Sequence, residues 1–137
     1  MVRRIQRRTQ ARGLRYEIRR RQSQDEQTLP KAADGKSPLT QAATAYALYP
    51  RTAGQLKPIG EWNETRILVK GAHVEHWLNG TKTVEYELWS PDWKAKVAGS
   101  KFKDWPNYGL AKRGRIALQG DHLGTLAFRN IKIRELR

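Results

Sequence analysis

Cysteine is absent from this 137-residue chain, which excludes a disulfide framework, a zinc–thiolate cluster and thiol catalysis. Histidine is scarce: His73, His76 and His122 are the whole supply, so few imidazoles are on offer for metal binding or acid–base work. Apolar runs are short, and none approaches the roughly 18 residues that a membrane-crossing helix needs. Met1 is followed by arginines rather than by an apolar leader, so the chain as written reads as cytoplasmic. No serine-triad, phosphate-loop or dinucleotide signature is present. Acids are outnumbered, 13 against 27 Lys and Arg, leaving a net charge of +14.

That excess is unevenly spread. Residues 1–24 hold nine Arg, no Lys and a single acid, Glu17. Such a tail attracts phosphate polyanions, but a basic tail alone binds nucleic acid without sequence preference and with strong salt dependence. The plainer expectation is a solvated, disordered basic arm over 1–24. Within it, Leu14-Arg15-Tyr16-Glu17-Ile18 alternates as a short strand does. Residues 25–43 carry Pro30, Gly35 and Pro38 and read as a polar loop. Residues 44–137 are patterned as a mostly β domain, and no repeat of solenoid or propeller period appears.

Thr44 to Tyr49 is a short run flanked by aromatics and stopped by Pro50, and a strand is expected there. Strands are also expected over Glu61 to Lys70, His73 to Leu78 and Thr81 to Leu88. Between the last two, Asn79-Gly80 is the strongest hairpin signal in the chain. Val74, His76 and Leu78 share one face of the first strand, and Val84, Tyr86 and Leu88 one face of the next, so the two sets meet only if paired residue numbers sum to an even number. A two-residue loop would set these groups on opposite faces. The parity therefore predicts a three-residue loop, Leu78-Asn79-Gly80, with Gly80 as a bulge. The polar face would then carry His73, Glu75, Trp77, Thr83, Glu85 and Glu87.

Ser90-Pro91-Asp92 predicts a helix over about 91–98: a serine cap, proline at the first helical position, and an acid at the positive end of the dipole. Trp93 and Val97, four apart, would pack inward, and Gly99 would end the helix. A basic loop follows over 100–113, and then strands from Gly114 to Gln119 and Gly124 to Glu135. The latter alternates only if a bulge lies near Asn130. Strands at short intervals, one helix and no βαβ rhythm predict an all-β fold, an antiparallel β-sandwich with one wet face.

Several stretches read together as a signature: Gly60-Glu61-Trp62-Asn63, Ile67-Leu68-Val69-Lys70-Gly71, Val74-Glu75-His76-Trp77-Leu78-Asn79-Gly80, Ser100-Lys101-Phe102-Lys103-Asp104-Trp105-Pro106, Gly114-Arg115-Ile116-Ala117-Leu118-Gln119 and Phe128-Arg129-Asn130-Ile131-Lys132-Ile133. From about Asp34 to Arg137 the chain resembles the C-terminal portion of the 3-keto-disaccharide hydrolase domain family. The resemblance implies a concanavalin-like jelly roll, incomplete here, that cleaves disaccharides or glycosides already oxidised at C3. Members of that family are often exported by glycan-degrading bacteria. The chain departs from the family in its arginine-rich start, which replaces an opening "FNG…L…GW" segment and an acidic "LDD…HPDA" stretch, and in Gln119-Gly120-Asp121-His122, which stands where "QDHG" is commoner. These departures fit a truncated copy of the domain. Lacking strands, it would expose sheet edges and self-associate through them.

A 3-keto group acidifies the neighbouring C–H, so a base can drive elimination of the aglycone before water adds. Such a route needs a base, an acid, and a donor or divalent cation for the enolate. Glu75, inside the signature, and Asp121 and His122, in a rim loop, are the catalytic candidates. Trp77, His73, Glu85, Trp105 and Gln119 are the candidates for substrate binding, the tryptophans as platforms for sugar C–H faces. Against each stands a plainer role: cross-strand ion pairs for the glutamates, a hydrogen-bonded core place for His76, a turn cap for Asp121. The rival functions are a lectin-like carbohydrate-binding module without turnover and a basic nucleic-acid binder acting through the arm.

Overall fold

A computed structural model describes residues 4–5, 14–22, 37–58, 60–118 and 126–136. Among these residues, seven strands and one helix run in chain order: β1 (Arg4–Ile5), β2 (Leu14–Gln22), β3 (Asn63–Lys70), β4 (His73–Leu78), β5 (Thr81–Glu87), α1 (Pro91–Ala98), β6 (Ile116–Ala117) and β7 (Leu126–Glu135). Five form one antiparallel sheet in the order β5-β4-β3-β2-β7, and β1 pairs with β6. The result is the incomplete antiparallel β-sandwich that the pattern predicts: mostly strands, one short helix, and a sheet that does not close.

Residues 14–22 depart from the expectation of a disordered arm. They form β2, which pairs with β3 on one side and β7 on the other. The physical reason lies in the alternation of Leu14, Tyr16 and Ile18 with charged residues. A strand with one wet face carries a charge at every second position, so its charge does not argue against order. The bulge expected near Asn130 is present. The β2–β7 register shifts between Glu17 and Arg19, so that Asn130 and Ile131 face one residue of β2. Asn130 takes the left-handed conformation there, with φ 54°.

The Asn79-Gly80 turn corrects the expected three-residue loop. Leu78 pairs with Thr81 and Trp77 with Lys82, and Asn79 and Gly80 both have positive φ, 48° and 85°, as a two-residue primed turn requires. The parity conflict is resolved further along, where the register shifts between His76 and Trp77 and His76 pairs with Val84. The bulge therefore sits at Thr83 rather than Gly80. Past it, Val74 faces Tyr86 and Glu75 faces Glu85, so the apolar sets meet as the parity demanded. Thr83 turns inward and is fully buried, its hydroxyl 2.8 Å from the Ala43 carbonyl oxygen and 3.1 Å from that of His76.

Thr44 to Tyr49 is not a strand. Ala43 and Ala47 take positive φ, and a single bridge joins Ala45 to Tyr49 around a tight turn. The aromatic pattern there reflects packing onto the sheet rather than strand pairing. Leu48 joins Trp93 and Phe102 in a buried cluster that Tyr49, Tyr86, Val97 and Tyr108 flank. Tyr86 stacks on Tyr49 at 4.8 Å and on Trp93 at 5.3 Å. Helix α1 forms as its cap signals predict: Ser90 Oγ accepts from the Trp93 N–H, Pro91 opens the helix, and Trp93 is its buried residue. Tyr49 Oη donates to Asp92 Oδ2 at 2.5 Å and pins the loop to the start of the helix. The segment after α1 is built around the same ring, since a Cβ on Gly109 (φ 70°) would come within 2.9 Å of Trp93 Cζ2.

Candidate functional site

The core covers the face of the β4–β5 hairpin that bears Val74, Leu78, Val84 and Tyr86. The opposite face collects the charged residues. His73 pairs with Glu87 and Glu75 with Glu85, while the bulge at Thr83 swings Lys82 across to lie opposite Trp77. Like charges placed directly across two strands destabilise a sheet. Here two cations hold them together. His73 Nδ1 lies 2.6 Å from Glu87 Oε1, and His73 Nε2 lies 3.4 Å from both Glu75 Oε1 and Glu85 Oε1. Lys82 Nζ is 2.5 Å from Glu85 Oε2 and 3.7 Å from Glu75 Oε1.

Glu75 is the most enclosed of the three carboxylates, its side chain 17% exposed against 48% for Glu85 and 54% for Glu87. The Trp77 indole donates to Glu75 Oε2 at 2.7 Å. Burial pushes the Glu75 carboxyl up. The hydrogen bonds from Trp77 and His73 and the charge of Lys82 outweigh it and hold the group below its ordinary value. His73 is shifted the other way. Its hydrogen bond to Glu87 is the main cause, burial opposes it, and Glu75 and Glu85 add to the rise. Carboxylates flank both of its ring nitrogens, and only the imidazolium donates from both. The site thus sets a carboxylate and an imidazole side by side with their affinities for the proton pushed apart.

Of the substrate-binding candidates, His73, Glu85 and Trp77 do share this face with Glu75. Trp77 differs from the open platform expected of it: the Arg66 guanidinium lies 3.8 Å from its ring centroid and covers one side. Glu64, Arg66, Trp77 and Gly80 line a small cavity of about 20 Å³, room for one water. Arg66 Nε is buried there without a hydrogen-bond partner among the described residues. Trp105 is placed elsewhere. It packs edge-on against Phe102 at 5.4 Å, in the aromatic group that covers the apolar face, so the sheet separates it from Glu75. Asp121, His122 and Gln119 lie outside the described residues.

His76 sits on the apolar parity and stays there. Its Nδ1 donates to the Thr44 carbonyl at 3.1 Å, and burial lowers its proton affinity against that bond. Lys82 and Arg66 were missed at the sequence level. Strict alternation puts Lys82 on the far face, and only the Thr83 bulge reverses it. For Arg66 the signal existed, since it shares parity with Glu64 and Leu68 on β3 and pairs with Trp77. One ligand atom each from His73, Glu75 and Glu85 lie within 4.8 Å of one another, so these three suit a divalent cation by donor type and spacing. Lys82 already supplies positive charge at two of them.

An open antiparallel sheet, cored on one face and carrying a carboxylate–imidazole cluster on the other, defines a β-sandwich with a surface site. The comparisons narrow this. The family described as 3-keto-alpha-glucoside-1,2-lyase-like domain matches residues 4–134, and the chain belongs to that family. The match takes in much of the arginine-rich start that the sequence reading set outside the family. A 3-keto-disaccharide hydrolase of Bacteroides thetaiotaomicron is 34% identical over 122 residues, which cover 82% of this chain and 42% of the relative. The chain therefore spans less than half the length of that relative. Among solved structures, a Parabacteroides distasonis protein assigned to the glycosyl hydrolases superposes with a TM-score of 0.77 at 23% identity, over 92% of this chain and 71% of its own. A second from the same organism gives 0.68 at 25% identity, over 95% and 80%. No helix among the described residues is long and apolar enough to cross a membrane.

Proposed function

We propose that this chain is a carbohydrate-acting domain that cleaves 3-keto-glycosides by elimination, with Glu75 as the base and His73 as the acid. The observation that carries the reading is the Glu75 carboxylate and the His73 imidazole set 3.4 Å apart on one sheet face, with proton affinities shifted in opposite directions. The Glu75 carboxylate takes the proton from the carbon next to the 3-keto group. The electron pair left behind forms the C1–C2 double bond as the glycosidic C1–O bond breaks. His73 delivers its proton to the departing oxygen, and water adding across the double bond completes hydrolysis. Trp77 orients Glu75 through its indole N–H. The Arg66 guanidinium, with its unpartnered Nε, is suited to neutralise charge building on the keto oxygen. A divalent cation on His73, Glu75 and Glu85 would serve the same end. Asp121 and His122 remain candidates for a second acid–base pair.

The second reading, a carbohydrate-binding surface without turnover, draws support from the shallowness of the site, whose one cavity lined by Trp77 holds about 20 Å³. Thermal unfolding followed by tryptophan fluorescence, with and without a 3-keto-disaccharide, tests both. A cooperative transition raised by the sugar supports a native binding site. Turnover that Glu75→Gln abolishes while the sugar still raises the transition selects the enzyme. The same shift without turnover in either protein selects the binding module. A transition that the sugar leaves unmoved sinks both.

A further inference from the structure

The aromatic group on the far side of the sheet forms a groove that the proposed chemistry does not use. Trp93, Val97, Phe102, Trp105, Tyr108 and Leu110 line a cavity of about 250 Å³, and Lys94 and Lys103 stand at its rim. Trp105 is 60% exposed although it touches a packed aromatic group, and Leu110 is 53% exposed. Phe102 stacks on Tyr108 at 4.1 Å, and Trp105 lies nearly perpendicular to both rings, at 5.4 and 6.3 Å, so two ring contacts hold an indole that still offers much of its surface to solvent. From Lys94 to Arg115 the chain carries seven Lys and Arg and one acid, Asp104. Neither Lys94 nor Lys103 has a carboxylate partner among the described residues. By contrast, His73 and Lys82 on the Glu75 face each have carboxylate partners.

We infer that this groove is a second binding site, for a sugar bearing a carboxylate: the Trp105 ring takes the sugar's C–H face, and Lys94 and Lys103 take the uronate charge. An apolar floor with a few placed charges is the usual make-up of a ligand cleft. The positive rim sets the sign of the ligand, and the rigid indole sets its shape. The choice of a sugar over a nucleic acid rests on the carbohydrate reading above. In a glycan carrying both kinds of residue, this groove would hold the acidic unit on one face of the sheet while the other face works on a neutral one.

The test uses the full chain and tri-galacturonate, with its methyl-ester form as the neutral control. Tryptophan quenching should report binding of the acid that weakens steeply between low and physiological salt. The methyl ester should bind at least roughly tenfold more weakly. Trp105→Ala and, separately, the pair Lys94→Glu and Lys103→Glu should each lower affinity by about tenfold or more. Turnover of a neutral 3-keto-disaccharide should be unchanged in all of them. Equal binding of acid and ester, wild-type affinity in Trp105→Ala, or tighter binding of a single-stranded oligonucleotide than of tri-galacturonate each overturns the inference. If tri-galacturonate fails to bind while the neutral 3-keto-sugar still raises the unfolding transition, this inference falls alone. If neither sugar has an effect, the carbohydrate reading falls with it.

Discussion

The two histidines of β4 lie three residues apart and meet opposite fates. His73 stands among three carboxylates on the wet face, and they raise its proton affinity. His76 is tucked under the Thr44 carbonyl on the apolar face, where burial lowers its proton affinity. Sequence distance does not separate them; the two-residue period of the strand does. The lesson is that one hairpin does both jobs. Its inner face anchors the core through Val74, Leu78, Val84 and Tyr86, and its outer face assembles charge at fixed distances because that core is rigid.

The strongest way to break the comparison is to remove the working charge while leaving the core alone. Glu75→Gln should lower turnover of a 3-keto-disaccharide by about 10²–10⁴-fold, while its unfolding midpoint falls much less than that of a core variant. The opposite perturbation spares the charges and attacks the core. Trp93→Ala removes a ring that Tyr86 and Tyr49 stack on, and should cost about 3–5 kcal/mol in chemical denaturation. Thr83→Val is subtler. It keeps the bulge residue's shape but strips the hydroxyl from the Ala43 and His76 carbonyls, at about 1–3 kcal/mol. The smallest stability effect is expected from Ser90→Ala, about 1 kcal/mol for the lost helix cap, also read by denaturation.

The pH dependence sharpens the same contrast. His73 has its proton affinity raised by folding, so its contribution to stability is full below the unfolded value near 6.5 and is lost as pH rises through the higher folded value. Glu75 is lowered, so its contribution is full above the ordinary carboxylate value of 4.5 and is lost as pH falls through the folded one. Unfolding midpoints should therefore be highest between these limits. In His73→Gln the decline on the alkaline side should flatten. A decline identical to wild type would show that some other group carries it.

Much of the framework was legible from periodicity alone. The β3, β4 and β5 strands, the capped helix and the bulge at Asn130 each rest on local chemistry that the sequence spells out. The misreadings have separate causes. A bulge can be placed anywhere along a hairpin to satisfy parity, and the pattern does not say where, so Thr83 was expected on the wet face and Lys82 was overlooked. Thr44 to Tyr49 looked like a strand because aromatics that pack onto a sheet and aromatics within one are compositionally alike. The alternation of Leu14, Tyr16 and Ile18 was legible, but the arginines around it weighed toward a solvated arm. For the site, Glu75 and its neighbours followed from face parity. Trp105 did not, since its place depends on a loop fold that no period encodes.

If Glu75 is the base that acts on the carbon beside the 3-keto group, that carbon exchanges its proton for deuterium in heavy water, which NMR follows with a 3-keto-disaccharide. Exchange or cleavage well above the uncatalysed rate is expected with the wild-type chain, and neither with Glu75→Gln folded to the same extent. Exchange by Glu75→Gln at the wild-type rate would rule out that role.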